Sequence, residues 1–370
     1  MKQKAFVLAM IILMILSLGA CSSTPNENEG TYESDATVDN IFTQPVVNTT
    51  PEDTVPEETT TQVLPPKQPT MDQGGMGSIN MGPGGVPLMD EIGPYRLYEG
   101  GELHMPFTVN ATGTVADQGV GILLFLDGRP QPYKTAENDT YQYMHTFYPV
   151  SGEEYLADIS FIPITGQVGD TLELYAATIL NPDFSIKEGM TGFVYTAGSV
   201  VSGTRLRYDA TPTSGDYELT NNRIVSLVSS YVDTKFSEIS GWSDMDLMEK
   251  VEAHLYVNGV DDIRDCIVYG VTAEENVTLR YEVWGSPYVH YGLVVFVDNE
   301  PVFSSEDCLI PLDVQNGKKT VIEAELDMTG FDGESEVYVM LVPRNCRTSE
   351  ILTQAFLNYS RTFFLISDEK

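Results

Sequence analysis

The chain has 370 residues, of which 54 are acidic and 20 basic, so its formal net charge is −34. A surface this acidic repels nucleic acid and anionic lipid headgroups, because both are bound through clustered Lys and Arg side chains. We therefore expect no nucleic acid partner. The simplest role for the excess of carboxylates is to keep the protein soluble and separated from an anionic cell surface.

The first 21 residues have the pattern of an export signal. Lys2 and Lys4 form a basic start, and the twelve residues 5–16 are all apolar, a run too short to span a bilayer as a mature helix. The tetrapeptide that follows, Leu18-Gly19-Ala20-Cys21, resembles the lipobox of bacterial lipoproteins, in which the cysteine is acylated and becomes the new amino terminus. The resemblance implies cleavage of residues 1–20, acyl chains such as palmitate on Cys21, and an extracytoplasmic protein anchored to the cell membrane. The alternative is an ordinary cleaved signal with a stray cysteine.

Residues 21–93 have the composition of a disordered stalk. Between Ser22 and Glu91 there are twelve acidic residues and one base, Lys67, among Thr, Pro, Asn and Gly. Such a segment buries too little apolar surface to fold, and at this length it spans roughly 45–50 Å as a coil. Its last part is rich in Gly and Met. These methionines are weak candidates for Cu(I) ligands, and flexible linker positions are the simpler interpretation: Met71, Met76, Met81 and Met89.

From about residue 92 apolar residues alternate with polar ones, as in half-buried strands. The alternation begins with Leu103, Met105, Phe107 and Val109 and continues through several short segments separated by turn residues. This spacing predicts an all-β fold with a first β-sandwich domain at 94–215 and a second at 216–370.

The two predicted domains repeat one pattern. Residues 292–301, GLVVFVDNEP, match residues 121–130, GILLFLDGRP, at a constant offset of 171. Further segments follow in the same order, with 333–343 similar to 169–182 and 361–366 similar to 205–208. Both copies resemble immunoglobulin-like surface modules. The resemblance implies two tandem sandwiches and no particular function.

The segment between the two domains is ambiguous. Residues 222–236 fit a helix through Ile224, Val228, Tyr231 and Lys235, yet their Val, Ile and Thr content also suits a strand. Residues 243–246 resemble a helix capping box, which predicts a short helix near the start of the second domain.

Three cysteines remain after Cys21, and they allow one disulfide with one thiol left over: Cys266, Cys308 and Cys346. Reduced, buried thiols are an equal alternative. No pair of residues has zinc-ligand spacing, and the acidic cluster at 261–265 lacks the pattern of a calcium loop. We therefore predict no cofactor and no metal. The chain also lacks the short motifs of hydrolases and phosphate-binding enzymes, and we expect it not to be an enzyme.

Aromatic residues supply the candidate ligand face. Tyr141, Tyr143 and Tyr148 fall on one predicted strand, and Trp242 stands in a loop-like sequence, Ser-Gly-Trp-Ser-Asp. Exposed Tyr and Trp rings bind sugars and proteins through flat apolar contact. The alternative is that these rings seal the edge of a sandwich or the seam between the two domains.

The sequence thus favours a lipid-anchored protein that presents two modules for binding or scaffolding at the cell surface, with an envelope protein or glycan as partner. The alternative is an accessory structural subunit of a membrane transport or secretion complex.

Overall fold

The computed structural model describes residues 77–183, 201–213, 221–233, 251–258, 266–272, 276–285, 290–304, 309–315, 317–331, 333–344 and 361–367. All of them belong to one compact unit, 59–370. Within these ranges the chain is almost entirely β-strand and forms two sandwiches, module 1 and module 2, which confirms the predicted fold class.

The described residues of module 1 form eleven strands and one short helix. In chain order they are β1 (Ile79–Pro83), β2 (Leu88–Met89), β3 (Pro94–Tyr98), β4 (Leu103–Ala111), α1 (Thr114–Gln118), β5 (Val120–Leu126), β6 (Arg129–Pro130), β7 (Lys134–Thr135), β8 (Met144–Phe147), β9 (Glu154–Phe161), β10 (Thr171–Leu180) and β11 (Val201–Tyr208).

One sheet of module 1 has the order β1-β4-β9-β7, and the other has the order β2-β3-β11-β10-β5-β6, with β8 also paired to β5. The alternating residues of β4 that the sequence analysis singled out are buried between these sheets, Met105, Phe107 and Val109 among them. The period-2 pattern therefore predicted the inward face of this strand correctly.

Module 2 contains ten described strands: β12 (Ile224–Asp233), β13 (Val251–Val257), β14 (Cys266–Thr272), β15 (Asn276–Gly285), β16 (His290–Val297), β17 (Glu300–Val302), β18 (Ile310–Asp313), β19 (Lys318–Asp327), β20 (Gly333–Arg344) and β21 (Arg361–Ser367). Its sheets have the orders β12-β19-β15-β13 and β14-β21-β20-β16-β17, with β18 also paired to β16.

The two modules share one topology. In each, an early strand of the second sheet pairs in parallel with the last strand of the module, β3 with β11 and β14 with β21, while the other strand pairs described in these sheets are antiparallel. Two packed sheets whose strands are antiparallel, except for this one parallel pair, make an immunoglobulin-like sandwich. The sequence repeat is thus a structural repeat, with β4, β5, β9, β10 and β11 equivalent to β15, β16, β19, β20 and β21.

The repeated Asp residues occupy equivalent hairpin turns. Asp127 and Gly128 have φ angles of 49° and 81°, and Asp298 and Asn299 have φ angles of 50° and 66°. Two successive residues with positive φ form a type I′ turn, which matches the twist of the flanking strands and favours Asp, Asn and Gly. The repeat keeps these residues because the turn requires them.

The predicted boundary between stalk and body is wrong. Strand β1 lies inside the segment assigned to the stalk, 21–93, and pairs along its whole length with β4. Met81 of this strand is buried in the core, and Asp90 accepts an ion pair of 2.6 Å from Arg205 on β11. The Gly- and Met-rich composition of this segment is typical of a linker, yet the segment contains a strand. Module 1 therefore begins before residue 79 and not at residue 94.

The ambiguous segment between the modules is a strand where the structure describes it. Residues 224–233 form β12, so the helix considered over 222–236 is absent from this stretch. The short helix predicted near 243–246 lies outside the described residues.

Candidate interaction surfaces

The three tyrosines of the predicted ligand face do not share one environment. Tyr148 is exposed, and its hydroxyl donates a hydrogen bond to Asp183, which raises the pKa of the phenol. Tyr143 is buried, so its ring cannot be offered to a ligand in this conformation. Tyr141 is half-buried beside β8. The expectation of a single exposed tyrosine face is therefore wrong for Tyr143.

Tyr141 belongs to a polar network around Glu102. Its hydroxyl donates to the Glu102 carboxylate at 2.8 Å, and the ammonium of Lys134 lies 3.1 Å from the same carboxylate and 5.6 Å from the tyrosine ring centroid. Burial raises the pKa of Glu102, but the hydrogen bonds from Tyr141 and Lys134 outweigh it and lower the pKa overall. The network holds a flat ring and an ionised carboxylate together at the surface of module 1.

A serine and a histidine meet beside this network. Ser160 Oγ lies 2.6 Å from His104 Nδ1, and the other ring nitrogen of His104 lies 4.0 Å from Glu102. A serine hydrolase needs such a histidine inside a site from which water is excluded. Here the His104 side chain is 69% exposed, so this geometry is that of a solvated hydrogen-bond network.

A second network covers the outer face of the β12-β19-β15-β13 sheet. The rings of His254 and Trp284 stack with centroids 5.1 Å apart, and Glu282 accepts ion pairs from Arg280 at 2.7 Å and Lys319 at 2.6 Å. Burial raises the pKa of Glu282, and the two cations lower it further than burial raises it. Because Trp284 is fully buried, it is a packing residue of this face and not an open platform.

The two modules pack against each other through one apolar cluster. In module 1 it is formed by β5, β10 and β8, and in module 2 by β16, β20 and the residue before β18. The strand registers make its members equivalent in pairs: Leu123 and Val294, Phe125 and Phe296, Met144 and Leu309, Tyr175 and Tyr338, Ala177 and Met340, Ile179 and Val342. Each module therefore buries the same outer face, and the best-matched part of the repeat is part of that face.

Aromatic rings lie at the centre of this cluster. The rings of Phe125 and Phe296 meet edge to face with centroids 6.1 Å apart, and Phe296 stacks on Tyr338 at 4.9 Å. Such contacts stabilise by about 1 kcal/mol each beyond the buried area. The repeated glycines leave space for the packing of this cluster, because a Cβ on Gly292 would lie 1.9 Å from Leu309 and one on Gly121 would lie 2.6 Å from Met144.

A polar contact closes one side of the interface between the modules. Arg344 at the end of β20 donates from Nε to the Asp127 carbonyl at 3.3 Å, and its guanidinium also lies 3.3 Å from the Asp127 carboxylate. Its side chain passes so close to the turn that a Cβ on Gly128 would lie 2.6 Å from Arg344 Cγ. The turn of the module 1 repeat is thus fixed by module 2.

Two equivalent glutamates lie next to the aromatic rings of the interface. Glu173 precedes Tyr175 by two residues on β10, and Glu336 precedes Tyr338 by two residues on β20, so each shares the face of its tyrosine. Burial raises the pKa of Glu173 to about 7, although the nearby Arg205 lowers it in part. Glu336 is buried, whereas Glu173 is half-buried. The docking faces therefore carry titratable groups at their margins.

Strand β12 is the longest exposed apolar feature of the described residues. It forms one edge of its sheet, where β19 is its only partner among the described strands, and nine of its ten residues are exposed. The exposed apolar side chains are Val225, Leu227, Val228, Tyr231 and Val232. This edge was not predicted from the sequence, because the residues of the segment suit a helix as well as a strand.

Several predicted site residues lie outside the described residues: the lipidation site Cys21, the loop residue Trp242, and two of the three cysteines considered for a disulfide, Cys308 and Cys346. Cys266 is the first residue of β14. Among the residues that the structure describes, no group of three or more His, Cys, Asp or Glu side chains could hold a metal ion. The same residues include no helix with the length and apolarity needed to cross a membrane.

No protein-family model matches this chain, and no curated protein is significantly similar to it. Solved structures match it at low identity. The N-terminal Ig1-2 module of the Drosophila receptor protein tyrosine phosphatase DLAR is 9% identical, covering 79% of this chain and 98% of that chain, with a TM-score of 0.19. Titin A168169 is 8% identical over 74% of this chain and 95% of that chain, with a TM-score of 0.18. The Salmonella enterica SafA pilin in complex with the SafB chaperone is 10% identical over 78% of this chain and 96% of that chain, also with a TM-score of 0.18. At these scores the fold assignment rests on the strand order and pairing given above.

Proposed function

We propose that this chain is an extracytoplasmic lipoprotein, anchored to the cell membrane through acyl chains on Cys21, whose two immunoglobulin-like modules bind or scaffold other components of the cell surface without catalysing a reaction. The observation that supports the binding role is which surfaces stay exposed when the modules pack together. The apolar interface joins the modules into one body and leaves strand β12 and the Glu102 network at the surface.

The proposed location depends on the sequence Leu18-Gly19-Ala20-Cys21 and the apolar run before it. Two or more acyl chains hold a protein at a membrane far more durably than one. The acidic segment that follows would keep the body away from the anionic membrane surface, since like charges repel.

The anchor is tested by growing the producing cells with an alkyne-tagged fatty acid. The wild-type protein should carry the label and fractionate with membranes, whereas Cys21→Ser should lose the label and move to the soluble fraction. A Cys266→Ser variant is the matched control and should keep both properties. An unlabelled wild-type protein would overturn the lipoprotein assignment.

The binding role is tested by capture from the producing organism's envelope with the chain from residue 22 onward, analysed by mass spectrometry for proteins and by glycan analysis for sugars. Shortening the bait to residue 94 would remove β1 and is avoided. A saturable partner that is lost in Tyr141→Ala but kept in Tyr148→Ala would locate binding at the Glu102 network. Co-purification of stoichiometric membrane subunits in detergent would instead support an accessory role in a membrane complex.

A further inference from the structure

Strand β12 lacks the features that usually protect an edge strand. Natural edges carry charges, Pro or bulges, or are very short, because a bare row of backbone N–H and C=O groups pairs readily with another strand. The β12 sequence, IVSLVSSYVD, is ten residues long, has no Pro, and has one charge, Asp233 at its end. Its register irregularity is confined to the start, between Ile224 and Ser226.

The equivalent edge of module 1 is protected. There the strand beside β9 is β7, which has only two residues, and one of them is Lys134, held by Glu102 and Asp139. In module 2 the position beside β19 is filled by β12, contributed by the segment that enters from module 1. Among the described residues, the sheet edge beside β9 is therefore protected, whereas the equivalent edge beside β19 ends in the unprotected strand β12.

Side chains on both faces of β12 are uncovered. Leu227 and Tyr231 lie opposite Ala324 and Thr320 of β19, which are buried, yet these two side chains are 38% and 45% exposed. On the other face Val228 lies opposite Glu323 and is 55% exposed. A strand added beside β12 would cover apolar groups on both faces as well as pair the backbone.

The charges near β12 decide which strand fits. The protein carries a net charge of −34, so most of its surface repels a second copy, but residues 225–232 are uncharged. If two β12 strands paired, the charged β19 strands of the two copies would lie three strand spacings apart, about 14 Å, beyond the screening length of about 8 Å at physiological salt. This edge is thus a place where two copies can approach without strong repulsion.

The sequence of β12 also matches itself in one register. Antiparallel pairing about Ser229 sets Leu227 opposite Tyr231 of the other copy, and Tyr231 opposite Leu227, all on the same face. It sets Val228 opposite Ser230, and Asp233 faces Val225 instead of another carboxylate. Pairing about Ser230 would set Leu227 against Asp233, so the Ser229 register is preferred.

We propose that this chain forms a symmetric dimer by antiparallel pairing of β12 with β12 of a second copy about Ser229, which joins the two four-stranded sheets into one continuous sheet. A closed two-fold contact of this kind uses the open edges of both copies and leaves neither available for further addition. The inference concerns the folded body and does not depend on the lipid anchor.

The test uses the chain from residue 21 to 370 with Cys21→Ser in every sample, measured by sedimentation velocity over a range of concentrations. The parent should be dimeric, and Val228→Lys should raise the dissociation constant about tenfold or more, because each copy places a charge in the new pairing. Leu156→Lys on β9 is the matched control, since Leu156 is 57% exposed and β9 is an interior strand. It should dimerise like the parent.

A cysteine scan tests the register. In the proposed pairing residue 229 faces itself with Cα atoms about 5 Å apart, within disulfide range, whereas the two copies of residue 226 lie about 20 Å apart along the strands. Ser229→Cys should therefore form a covalent dimer under mild oxidation, and Ser226→Cys should not exceed the parent, whose own cysteines set the background.

A monomeric parent would overturn the proposal. A dimer that withstands Val228→Lys, or one cross-linked by Ser226→Cys and not by Ser229→Cys, would also overturn it, because another surface or register would then be in use. If the parent is monomeric and hydrogen exchange of β12 amides is slow until residues 22–70 are deleted, the occupant is the chain's own segment and not a second copy. Loss of envelope capture alone would leave the dimer standing, so the two proposals fail separately.

Discussion

The two modules have the same strand order but differ in what closes the sheet edge beside the equivalent strands β9 and β19. Module 1 ends there in the two-residue strand β7, whereas module 2 has the ten-residue strand β12. The faces that the modules bury against each other are, in contrast, equivalent position by position. The described parts of the two modules therefore share the face through which they pack against each other and differ at this sheet edge.

The largest expected effect comes from breaking the shared face. Phe125 and Phe296 are fully buried by each other's module, so Phe296→Ala should lower the free energy of unfolding by about 3–4 kcal/mol, as in a core. Phe125→Ala should have a similar effect. Urea unfolding measures both.

The double variant Phe125→Ala/Phe296→Ala tests whether the two rings belong to one shared interface. Because the two rings touch, their effects should be less than additive, with a coupling of about 1 kcal/mol. A cost under about 1 kcal/mol for either single variant would mean that the modules do not dock in solution, since an exposed ring stabilises little.

The second prediction concerns where module 1 begins. Met81 on β1 is 6% exposed and Met89 on β2 is 68% exposed, although both lie in the Met- and Gly-rich segment. Met81→Ala should cost about 2–3 kcal/mol because it leaves a cavity, and Met89→Ala should cost almost nothing. Thermal unfolding of the matched pair measures this difference. Equal, small effects of the two substitutions would mean that β1 does not pack in module 1 and belongs to the stalk.

The sequence predicted the fold because the fold depends on local patterns. Alternation in β4 marked the inward face, and the repeated turns at Asp127 and Asp298 marked equivalent hairpins. It did not predict the docking of the modules. The signal was present, because β5 is apolar at every position and a strand with two apolar faces must be covered on both. What covers the second face is a long-range contact that periodicity does not encode.

The candidate binding residues were harder to predict for the same reason. Tyr141, Tyr143 and Tyr148 are similar in sequence, but a hydrogen bond to Glu102, burial in module 1 and a position over Gly119 give them three different environments. Strand β12 was not predicted because its length and composition suit a helix as well as an edge strand. Its pairing with β19, a long-range contact, makes it a strand.

The third prediction sharpens the comparison through pH. Burial raises the pKa of Glu173 to about 7, above the ordinary glutamate value of about 4.3 in the unfolded chain. The folded state therefore holds its proton more tightly, so this group stabilises the protein fully below about pH 4 and loses that contribution as the pH rises to 7. Glu173→Gln should remove this decline, which is on the order of 2 kcal/mol.

Urea midpoints at pH 5 and pH 8 measure the effect of Glu173. The exposed residue Glu154 on β9 provides the control, Glu154→Gln, which should follow the wild type at both pH values. If Glu173→Gln keeps the wild-type difference between the two pH values, the carboxyl is ionised in the folded protein and its burial is smaller than the structure indicates.

The smallest expected effect comes from the polar contact that only one module provides. Arg344 reaches Asp127 from module 2, while the equivalent position at the end of β10 is Asn181, whose backbone N–H donates to Gly119 within its own module. Arg344→Ala should therefore cost about 1 kcal/mol, as expected for a half-exposed charge-assisted hydrogen bond. The cost should also fall in the Phe296→Ala background, where the interface is weakened, because the contact exists only when the modules dock. Arg129→Ala is the matched control, since Arg129 lies 3.6 Å from the same Asp127 carboxylate but within module 1. Its cost should be unchanged in the Phe296→Ala background, and an Arg344→Ala cost that also stays unchanged there would mean that the contact does not depend on docking of the modules.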